Sequence, residues 1–298
     1  IVSRDWSSDV CSSDLIRREE YRQAKNANGG LWGYLLVKIG IKFSRLWLPT
    51  KRLRLFLYQI FNNKYPPGIN EEEAEFPVYE YSSLNALFTR GLKSEYRPIS
   101  RGKHEVLCPC DGTIQDVGRI EQRQIITLKG IKYLPASLLP SVEMKNFEGW
   151  NYITTYLSPI DCHRVFSPQD GQLEKIIHVP GARLHVTPSF QNPEFPVYTL
   201  NERMIFMFST TIGSCILVMV AGSGVGNITL PAIPDFKPVG HSITNKNLCS
   251  PIPVNRGEWF ATFELGSTVI LLFPPQDGRQ SVLISPNEKV KYGQPIFS

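Results

Sequence analysis

The stretch Phe263-Glu264-Leu265-Gly266-Ser267-Thr268-Val269-Ile270-Leu271-Leu272-Phe273 decides how the rest of this chain is arranged. Its second half is apolar and rich in β-branched residues, and Pro274-Pro275 closes it, which predicts a buried strand. A Gly-Ser-Thr step at the start of a strand is unusual, because glycine packs against nothing and loosens the backbone. By itself, this step predicts a bulge or a bend ahead of a core strand.

After Arg101 the sequence consists of short apolar runs separated by Gly, Pro and Asp. Few segments between these runs have the length of a helix, so a βαβ alternation is not expected. The runs that predict strands are Val106–Leu107, Gly112–Val117, Ile125–Leu128, Tyr152–Leu157, Leu173–Val179, Met204–Phe208, Ile216–Val220 and Val269–Phe273. The sequence therefore predicts an α+β fold whose main, β-rich domain covers residues 71–298. A short helix capped at Ser82 or Ser83 and reaching Leu92 should open that domain.

Residues 1–15 differ in character from the rest of the chain. Ser7-Ser8-Asp9-Val10 is nearly repeated in Ser12-Ser13-Asp14-Leu15, and neither copy has a helix or strand period. The basic start and long apolar centre of a signal peptide are also missing from this segment. It resembles translated adapter sequence, and we expect it to be disordered and to take no part in the fold.

Residues 16–70 predict a helical appendage and a linker. Between Ile16 and Lys64 there are eleven basic residues and two acidic ones, interleaved with aliphatic and aromatic side chains. Pro49-Thr50 divides this region into two helices. Basic amphipathic helices that carry aromatic residues are suited to a membrane interface, where each base near an anionic surface adds about 1 kcal/mol. We therefore expect these helices to dock on an anionic membrane, or alternatively to pack on the main domain.

The composition excludes several classes of protein. Charged residues make up 20% of the chain and apolar ones 42%, which is a globular balance, and the net charge is +5. No nucleic-acid motif is present, so a nucleic-acid partner is not expected. The six cysteines are too sparse for a disulfide framework and indicate a reducing compartment. No apolar run is long enough to predict a membrane span.

Four other short motifs contain residues that could carry chemistry. Taken singly, an Asp-Gly pair predicts a turn, a lone histidine predicts a packing residue, and the glycine-rich motif lies between strands and does not match a dinucleotide loop. The motifs are Cys108-Pro109-Cys110-Asp111-Gly112-Thr113-Ile114, Thr155-Tyr156-Leu157-Ser158-Pro159-Ile160-Asp161-Cys162-His163-Arg164-Val165-Phe166-Ser167-Pro168, Asn201-Glu202-Arg203 and Val225-Gly226-Asn227-Ile228. Together with Leu-Gly-Ser-Thr, and in this order, they resemble the phosphatidylserine decarboxylases from about residue 30 to the C-terminus. Phe88-Thr89-Arg90-Gly91-Leu92-Lys93 to Arg97-Pro98-Ile99 also resembles that family, although its residues suggest no chemistry.

The resemblance implies an enzyme that makes its own cofactor. Ser267 would attack the carbonyl of Gly266, and cleavage between these residues would give a β chain and an α chain that remain associated. Ser267 would become a covalent pyruvoyl group, which forms a Schiff base with the amine of phosphatidylserine. Loss of carbon dioxide would then give phosphatidylethanolamine.

The family's pattern assigns roles to three residues of this chain and differs at a fourth. Asp111 and Ser267 match the self-processing residues, and His163 matches the histidine associated with decarboxylation. The family's second histidine, associated with processing, is replaced by Phe166, which can neither take nor give a proton. Either His163 serves both steps, or another histidine substitutes (His178, His185 or His241), or the chain stays uncleaved.

Three alternatives remain at this point. The chain could be an uncleaved membrane-bound pseudoenzyme of the same fold. It could be a Ser-His-Asp hydrolase built from Ser267, His163 and Asp111, although it lacks the Gly-x-Ser-x-Gly elbow. Cys108, Cys110, Cys162 and His163 could bind zinc, but Cys-x-Cys spacing is weak evidence and no metal site is predicted.

The resemblance also implies a location and partners. A bacterial enzyme of this kind would lie peripherally on the cytoplasmic side of the inner membrane, and an organelle inner membrane is the alternative. Its expected partners are phosphatidylserine and the anionic membrane surface. The sequence leaves the oligomeric state open, with a homodimer among the options.

Overall fold

The computed structural model describes residues 22–23, 26, 29–102, 105–122, 125–126, 130–142, 147–191, 196–224, 227–236, 243–264, 267–275 and 281–297. Residues 1–15, for which the sequence predicts disorder, lie outside the described residues. The helices, in chain order, are α1 (Gly30–Ser44), α2 (Lys51–Lys64), α3 (Leu84–Phe88), α4 (Pro135–Leu138) and α5 (Val197–Leu200). Short 3-10 turns occupy Val78–Glu80 and Ser94–Tyr96.

The fifteen described strands include eight that coincide with the predicted apolar runs and seven that were not predicted. In chain order they are β1 (Val106–Leu107), β2 (Gly112–Arg119), β3 (Ile125–Ile126), β4 (Lys132–Tyr133), β5 (Asn151–Leu157), β6 (Arg164–Phe166), β7 (Gly171–Val179), β8 (Arg203–Thr210), β9 (Gly213–Ala221), β10 (Ile228–Thr229), β11 (Thr244–Val254), β12 (Trp259–Phe263), β13 (Ser267–Phe273), β14 (Lys289–Val290) and β15 (Pro295–Phe297). The predicted α+β, β-rich fold is confirmed. The strand predicted to reach Leu128 is described only at Ile125–Ile126.

One large antiparallel sheet carries the fold. Its strand order is β11-β7-β8-β9-β13-β5-β2-β14, so β13 lies between β9 and β5. Val269, Leu271 and Phe273 face one hydrophobic cluster, while Ile270 and Leu272 face another. Because both faces are buried, the strand is a continuous apolar run rather than an alternating one. A small sheet, β10-β12-β6, covers the first face.

A third hydrophobic cluster joins the N-terminal helices to the main domain. Leu48 and Tyr58 pack with Val78, Tyr81 and Leu87, so this core crosses the position at which the sequence predicts the end of the linker. The Tyr58 hydroxyl donates to the carbonyl of Tyr81 at 2.5 Å. The α2 helix is therefore attached to the body of the protein on one side.

Helix α3 differs in length from the prediction. Ser83 caps it as expected, because its Oγ accepts from the amide of Ala86 at 3.0 Å. The helix ends at Phe88, so its predicted extension to Leu92 is wrong. Leu92 instead forms an antiparallel bridge with Ala74, a tertiary contact that overrides the apolar spacing of the segment.

Candidate active site

Ser267 is the first residue of β13 and is completely buried. Its register partners are Leu157 on β5 and Ala221 on β9. Its relative exposure is 0%, and its Oγ has no hydrogen-bond partner among the described residues. A buried hydroxyl without a partner costs free energy, which is typical of a group kept for chemistry rather than for stability.

The chain just before the position at which the sequence predicts cleavage is held by two of the sequence motifs. In β12, the amide of Phe263 donates to the carbonyl of His163 at 3.0 Å, and the amide of Glu264 donates to the carbonyl of Asn227 at 2.9 Å. Leu265 and Gly266 lie outside the described residues. The Asn227 and His163 motifs are therefore brought to the segment that leads into Ser267.

His163 is buried as a neutral imidazole with one nitrogen unused. Its Nδ1 lies 3.0 Å from the carbonyl of Asp161, which can only accept, so Nδ1 carries the proton. The lone pair is therefore on Nε2, which has no hydrogen-bond partner among the described residues. Burial lowers the pKa of His163 to about 4, although Asp161 opposes this shift. The His163 ring also packs edge-on against Phe88.

A tight turn aims His163 inward. The Asp161 carboxylate accepts from the amide and the hydroxyl of Ser158, at 2.7 and 2.6 Å. The buried guanidinium of Arg90 donates to the carbonyl of Ile160 at 2.7 Å. Asp161 thus organises the turn from which His163 projects.

Asp111 is bound to arginine rather than to either candidate catalytic side chain. Arg97 donates from Nε to Oδ1 at 3.0 Å and from its terminal nitrogen to Oδ2 at 2.5 Å, and the amide of Tyr292 donates to Oδ1 at 2.9 Å. Burial raises the pKa of Asp111, and the charge and hydrogen bonds of Arg97 oppose that rise. The neighbouring Gly112 is required by close packing, because a Cβ there would overlap the carbonyl oxygen of Tyr156.

Phe166 contacts two residues in the surroundings of this carboxylate. Its ring stacks on Tyr292 at 3.6 Å between centroids, and Tyr292 is the residue whose amide binds Asp111. The Phe166 amide donates to the carbonyl of Pro109, two residues before Asp111. Position 166 is therefore linked to the surroundings of Asp111 through Tyr292 and Pro109.

The Asn201-Glu202-Arg203 motif supports the strand next to Ser267. The Asn201 side chain donates to the carbonyl of Ala221 at 2.9 Å, and the amide of Ala221 donates to the carbonyl of Glu202 at 2.8 Å. Both main-chain polar groups of Ala221 are therefore used on the side away from Ser267. Arg203 is buried and donates to four carbonyls, which ties this motif to α4 and α5.

The sequence reasoning missed two arginines of the segment Phe88–Ile99. Arg90 holds the turn before His163, and Arg97 holds Asp111. Both are more than nine-tenths buried, where an arginine is rare unless it is paired. The signal available in the sequence was the likeness of this segment to the family, which carried no indication of what the arginines contact.

The other histidines have separate partners or lie outside the described residues. His178 contacts Glu202 at 3.1 Å from β7, which β8 and β9 separate from β13. Although burial acts to raise it, hydrogen bonds from His178 and Arg183 lower the pKa of Glu202 to about 2. Burial lowers the pKa of His185, whose ring packs against Phe190. His241 lies outside the described residues.

The cysteines near His163 are buried thiols. Burial raises the pKa of Cys108 to about 12 and that of Cys162 to about 11, so both are protonated at neutral pH. Cys108 donates to the carbonyl of Cys110 at 3.1 Å. In the part of the chain that the structure describes, no group of three or more His, Cys, Asp or Glu side chains is arranged to hold a metal ion.

Comparison with known proteins identifies the family. The family model for phosphatidylserine decarboxylase matches residues 84–298. The chain is 33% identical over 254 residues to a phosphatidylserine decarboxylase proenzyme from Anaeromyxobacter, covering 84% of this chain and 89% of that protein. The chain belongs to the phosphatidylserine decarboxylase family.

Further relatives agree with this assignment. A phosphatidylserine decarboxylase proenzyme from Hamiltonella defensa is 36% identical over 252 residues, covering 80% of this chain and 87% of that protein. One from Coxiella burnetii is 33% identical over 262 residues, covering 84% and 90%. The family resemblance predicted from the sequence is thereby confirmed, and the decarboxylase motifs can be placed on the structure.

We expect the buried neutral His163 to make the protein sensitive to mild acid. The unfolded chain binds a proton near pH 6.5, whereas folded His163 binds one only near pH 4. Stability is therefore fully present above pH 6.5 and falls as the pH drops toward 4, by on the order of 3 kcal/mol. Urea unfolding of Ser267→Ala, with and without His163→Gln, measures this difference. Equal losses of stability between pH 7 and pH 4.5 in the two proteins would contradict a neutral buried His163.

Proposed function

We propose that this member of the family matures by cleaving itself between Gly266 and Ser267 and then decarboxylates phosphatidylserine at the group formed there. The observation that supports the proposal most strongly is that two buried atoms, Ser267 Oγ and His163 Nε2, have no hydrogen-bond partner among the described residues. They belong to segments joined by the hydrogen bond from Phe263 to His163. The nucleophile and a proton acceptor are therefore both uncommitted in one region of the protein.

Self-cleavage uses only this chain and one water molecule. Ser267 Oγ adds to the carbonyl carbon of Gly266, and the peptide C–N bond breaks as an ester forms and the nitrogen takes a proton. Removal of the Ser267 Cα proton then breaks the Cβ–Oγ bond, and Gly266 leaves as the carboxylate that ends the β chain. The dehydroalanine that remains takes up water and releases ammonia, which leaves a pyruvoyl group at the start of the α chain.

His163 is the base that the described geometry favours for the first step. A serine hydroxyl needs a base to become a nucleophile, and His163 Nε2 carries a lone pair throughout the neutral range. The Asp111 carboxylate instead binds Arg97. Phe166, which replaces the family's second histidine, has no titratable group. We therefore infer that His163 serves both self-cleavage and the later reaction.

The surroundings of Ser267 fit a small carbonyl group. Ala221 lies directly opposite and presents only a methyl group, while Thr155 on the adjacent strand has a buried hydroxyl with no hydrogen-bond partner among the described residues. Once formed, the pyruvoyl group supplies an electrophilic carbonyl that takes up the substrate amine and holds the electron pair left by carbon dioxide. His163 Nε2 is the atom suited to return a proton to the substrate.

The two products of cleavage would share one sheet. Strand β13 belongs to the α chain, whereas its neighbours β5 and β9 belong to the β chain. Separating the chains would expose both faces of β13. This arrangement supports the expectation that the chains stay associated.

A Ser-His-Asp hydrolase has no comparable support. In such a triad the carboxylate accepts from the histidine, but His163 Nδ1 is engaged with the carbonyl of Asp161 and Asp111 with Arg97. Ser267 Oγ has no hydrogen bond to His163 in the described structure.

Substitutions at Ser267 and His163 test the proposal. Ser267→Ala removes the nucleophile and should leave one intact chain, and His163→Ala should slow cleavage by at least about a hundredfold because it removes the base. Intact-mass measurement and release of carbon dioxide from phosphatidylserine follow both steps. Ser209→Ala, at an exposed position on β8, is the matched control. Normal cleavage of the Ser267 variant would refute the site, and normal cleavage of the His163 variant would remove it as the base.

Restoring the family's second histidine should accelerate maturation. Phe166→His would place an imidazole in the surroundings of Asp111, and a second general base is expected to raise the cleavage rate by about tenfold or more. Phe166→Tyr, which keeps the stacking on Tyr292 without a group that titrates near pH 7, is the control. Time courses of cleavage after synthesis measure both variants, and equal rates would show that position 166 does not limit maturation.

We also propose that α1 and α2 dock the enzyme peripherally on an anionic membrane, as the inner membrane of a bacterium would offer. Large apolar side chains on both helices remain exposed, including Trp32 at 75% and Phe56 at 60%. Exposed bases flank them, among them Lys38 and Arg52. An interface buries such side chains while keeping the bases at the headgroups. Among the described residues, no helix has the length and hydropathy needed to cross a bilayer.

Substitutions at exposed positions test docking without disrupting the hydrophobic cluster that holds α2. Trp32→Ser and Phe56→Ser should each weaken sedimentation with phosphatidylglycerol vesicles by about tenfold, because each removes apolar area from the interface. Leu134→Ser, at a site that is also exposed but lies on the main domain, should bind as the wild type does. If both helix variants bind the vesicles as the wild type does, the helices do not dock the protein on the membrane and serve only to pack on the main domain.

A further inference from the structure

An ion pair links the docking helices α1 and α2 to the cleavage segment, residues 264–267. Arg45 follows α1 directly, and its guanidinium donates to the carboxylate of Glu264, which is 219 residues away in sequence. Glu264 is the last described residue before the Gly266–Ser267 bond. The contact therefore joins the membrane-facing part of the chain to the segment that must rearrange during maturation.

Arg45 is itself held at a defined place. It is followed by Leu46 and Trp47, which are exposed, and then by Leu48, which is buried and whose amide donates to the carbonyl of Ser82 at 2.8 Å. Two contacts hold Glu264. Its amide donates to the carbonyl of Asn227, and its carboxylate accepts from the guanidinium of Arg45. One end of the cleavage segment is thus fixed by these two contacts, and the other end is fixed by the pairing of Ser267 with Leu157.

We propose, on the basis of the self-cleavage inferred above, that Arg45 is a positioning residue for the cleavage segment and that anionic lipid competes with Glu264 for it. Attack by Ser267 Oγ requires the carbonyl of Gly266 within reach and correctly oriented. With Glu264 held on one side and Ser267 on the other, the two points that the connecting chain must join are fixed. The ion pair therefore increases the fraction of chains that are ready for attack.

The exposure of the pair makes it exchangeable. The Arg45 side chain is 46% exposed and that of Glu264 is 19% exposed, and ion pairs of this kind are weak and sensitive to salt. A lipid phosphate or carboxylate offers arginine the same forked, charged contact. Because Leu46 and Trp47 adjoin Arg45, docking brings headgroups to this side chain. Self-cleavage is accordingly fastest before the chain docks on an anionic surface.

Charge exchange between the two residues tests the positioning role. The full chain is synthesised in a cell-free system, and the uncleaved fraction is followed with time at low salt. Arg45→Gln and Glu264→Gln should each cleave about two- to fivefold more slowly than the wild type, as the loss of one exposed ion pair allows. The double variant Arg45→Glu/Glu264→Arg should recover the wild-type rate. Asp170→Asn, which removes the ion pair with Arg256 on another part of the surface, should not change the rate.

The second arm adds vesicles to the same reaction. Phosphatidylglycerol vesicles should slow the wild type to the rate of the glutamine variants and leave those variants unchanged, whereas phosphatidylcholine vesicles should affect neither. If the glutamine variants cleave at the wild-type rate, or if the exchanged pair does not recover it, the positioning role is overturned. If anionic vesicles do not slow the wild type, the competition is overturned. A wild type that never cleaves would refute the proposed function itself, which is a separate result.

Discussion

The pairing of β13 on both edges and its burial on both faces is the constraint on which the rest of the structure depends. A strand in this position cannot shift by one residue without moving its apolar side chains to the wrong clusters. Its register with β5 and β9 therefore fixes Ser267 opposite Leu157 and Ala221. The hydroxyl at the head of the strand is immobilised by a core that has no chemical role, and the bond before it is the point at which the chain enters that core.

Buried arginines near the site are arranged around main-chain carbonyls and two carboxylates. Arg90 holds the turn that carries His163. Arg97 binds two carboxylates, those of Asp111 and Glu73. Breaking either arrangement would leave a buried charge unpaired, which is costly. These arginines keep a carboxylate and an imidazole in separate environments although their loops adjoin. Phe166, whose ring is stacked on Tyr292, adds no titratable group to this region.

The N-terminal helices are packed against the main domain and are connected to the candidate site. The cluster around Tyr58 anchors α2, so the exposed apolar residues of α2 are presented from a fixed base. The same base carries Arg45 to Glu264. In the proposed enzyme, the surface that meets lipid and the segment that is cleaved are consequently parts of one assembly.

Much of the fold could be predicted from the sequence because its signals are local. Apolar runs bounded by Gly and Pro indicated eight of the described strands, Ser83 indicated the start of α3, and Pro49-Thr50 indicated the break between α1 and α2. The length of α3 could not be predicted, because its end depends on the bridge between Leu92 and Ala74. The ordered motifs also indicated the family, which the comparisons confirmed.

By itself, the sequence indicated eight of the fifteen described strands, the break between α1 and α2 and the family to which the chain belongs. Only the tertiary structure decided that Asp111 binds Arg97, that Asn201 supports the strand next to Ser267 and that Arg45 reaches Glu264. The physical reason is that these contacts join residues far apart in the chain. Their partners are chosen by the register of the sheet and the packing of its faces, and no local pattern in the sequence records that choice.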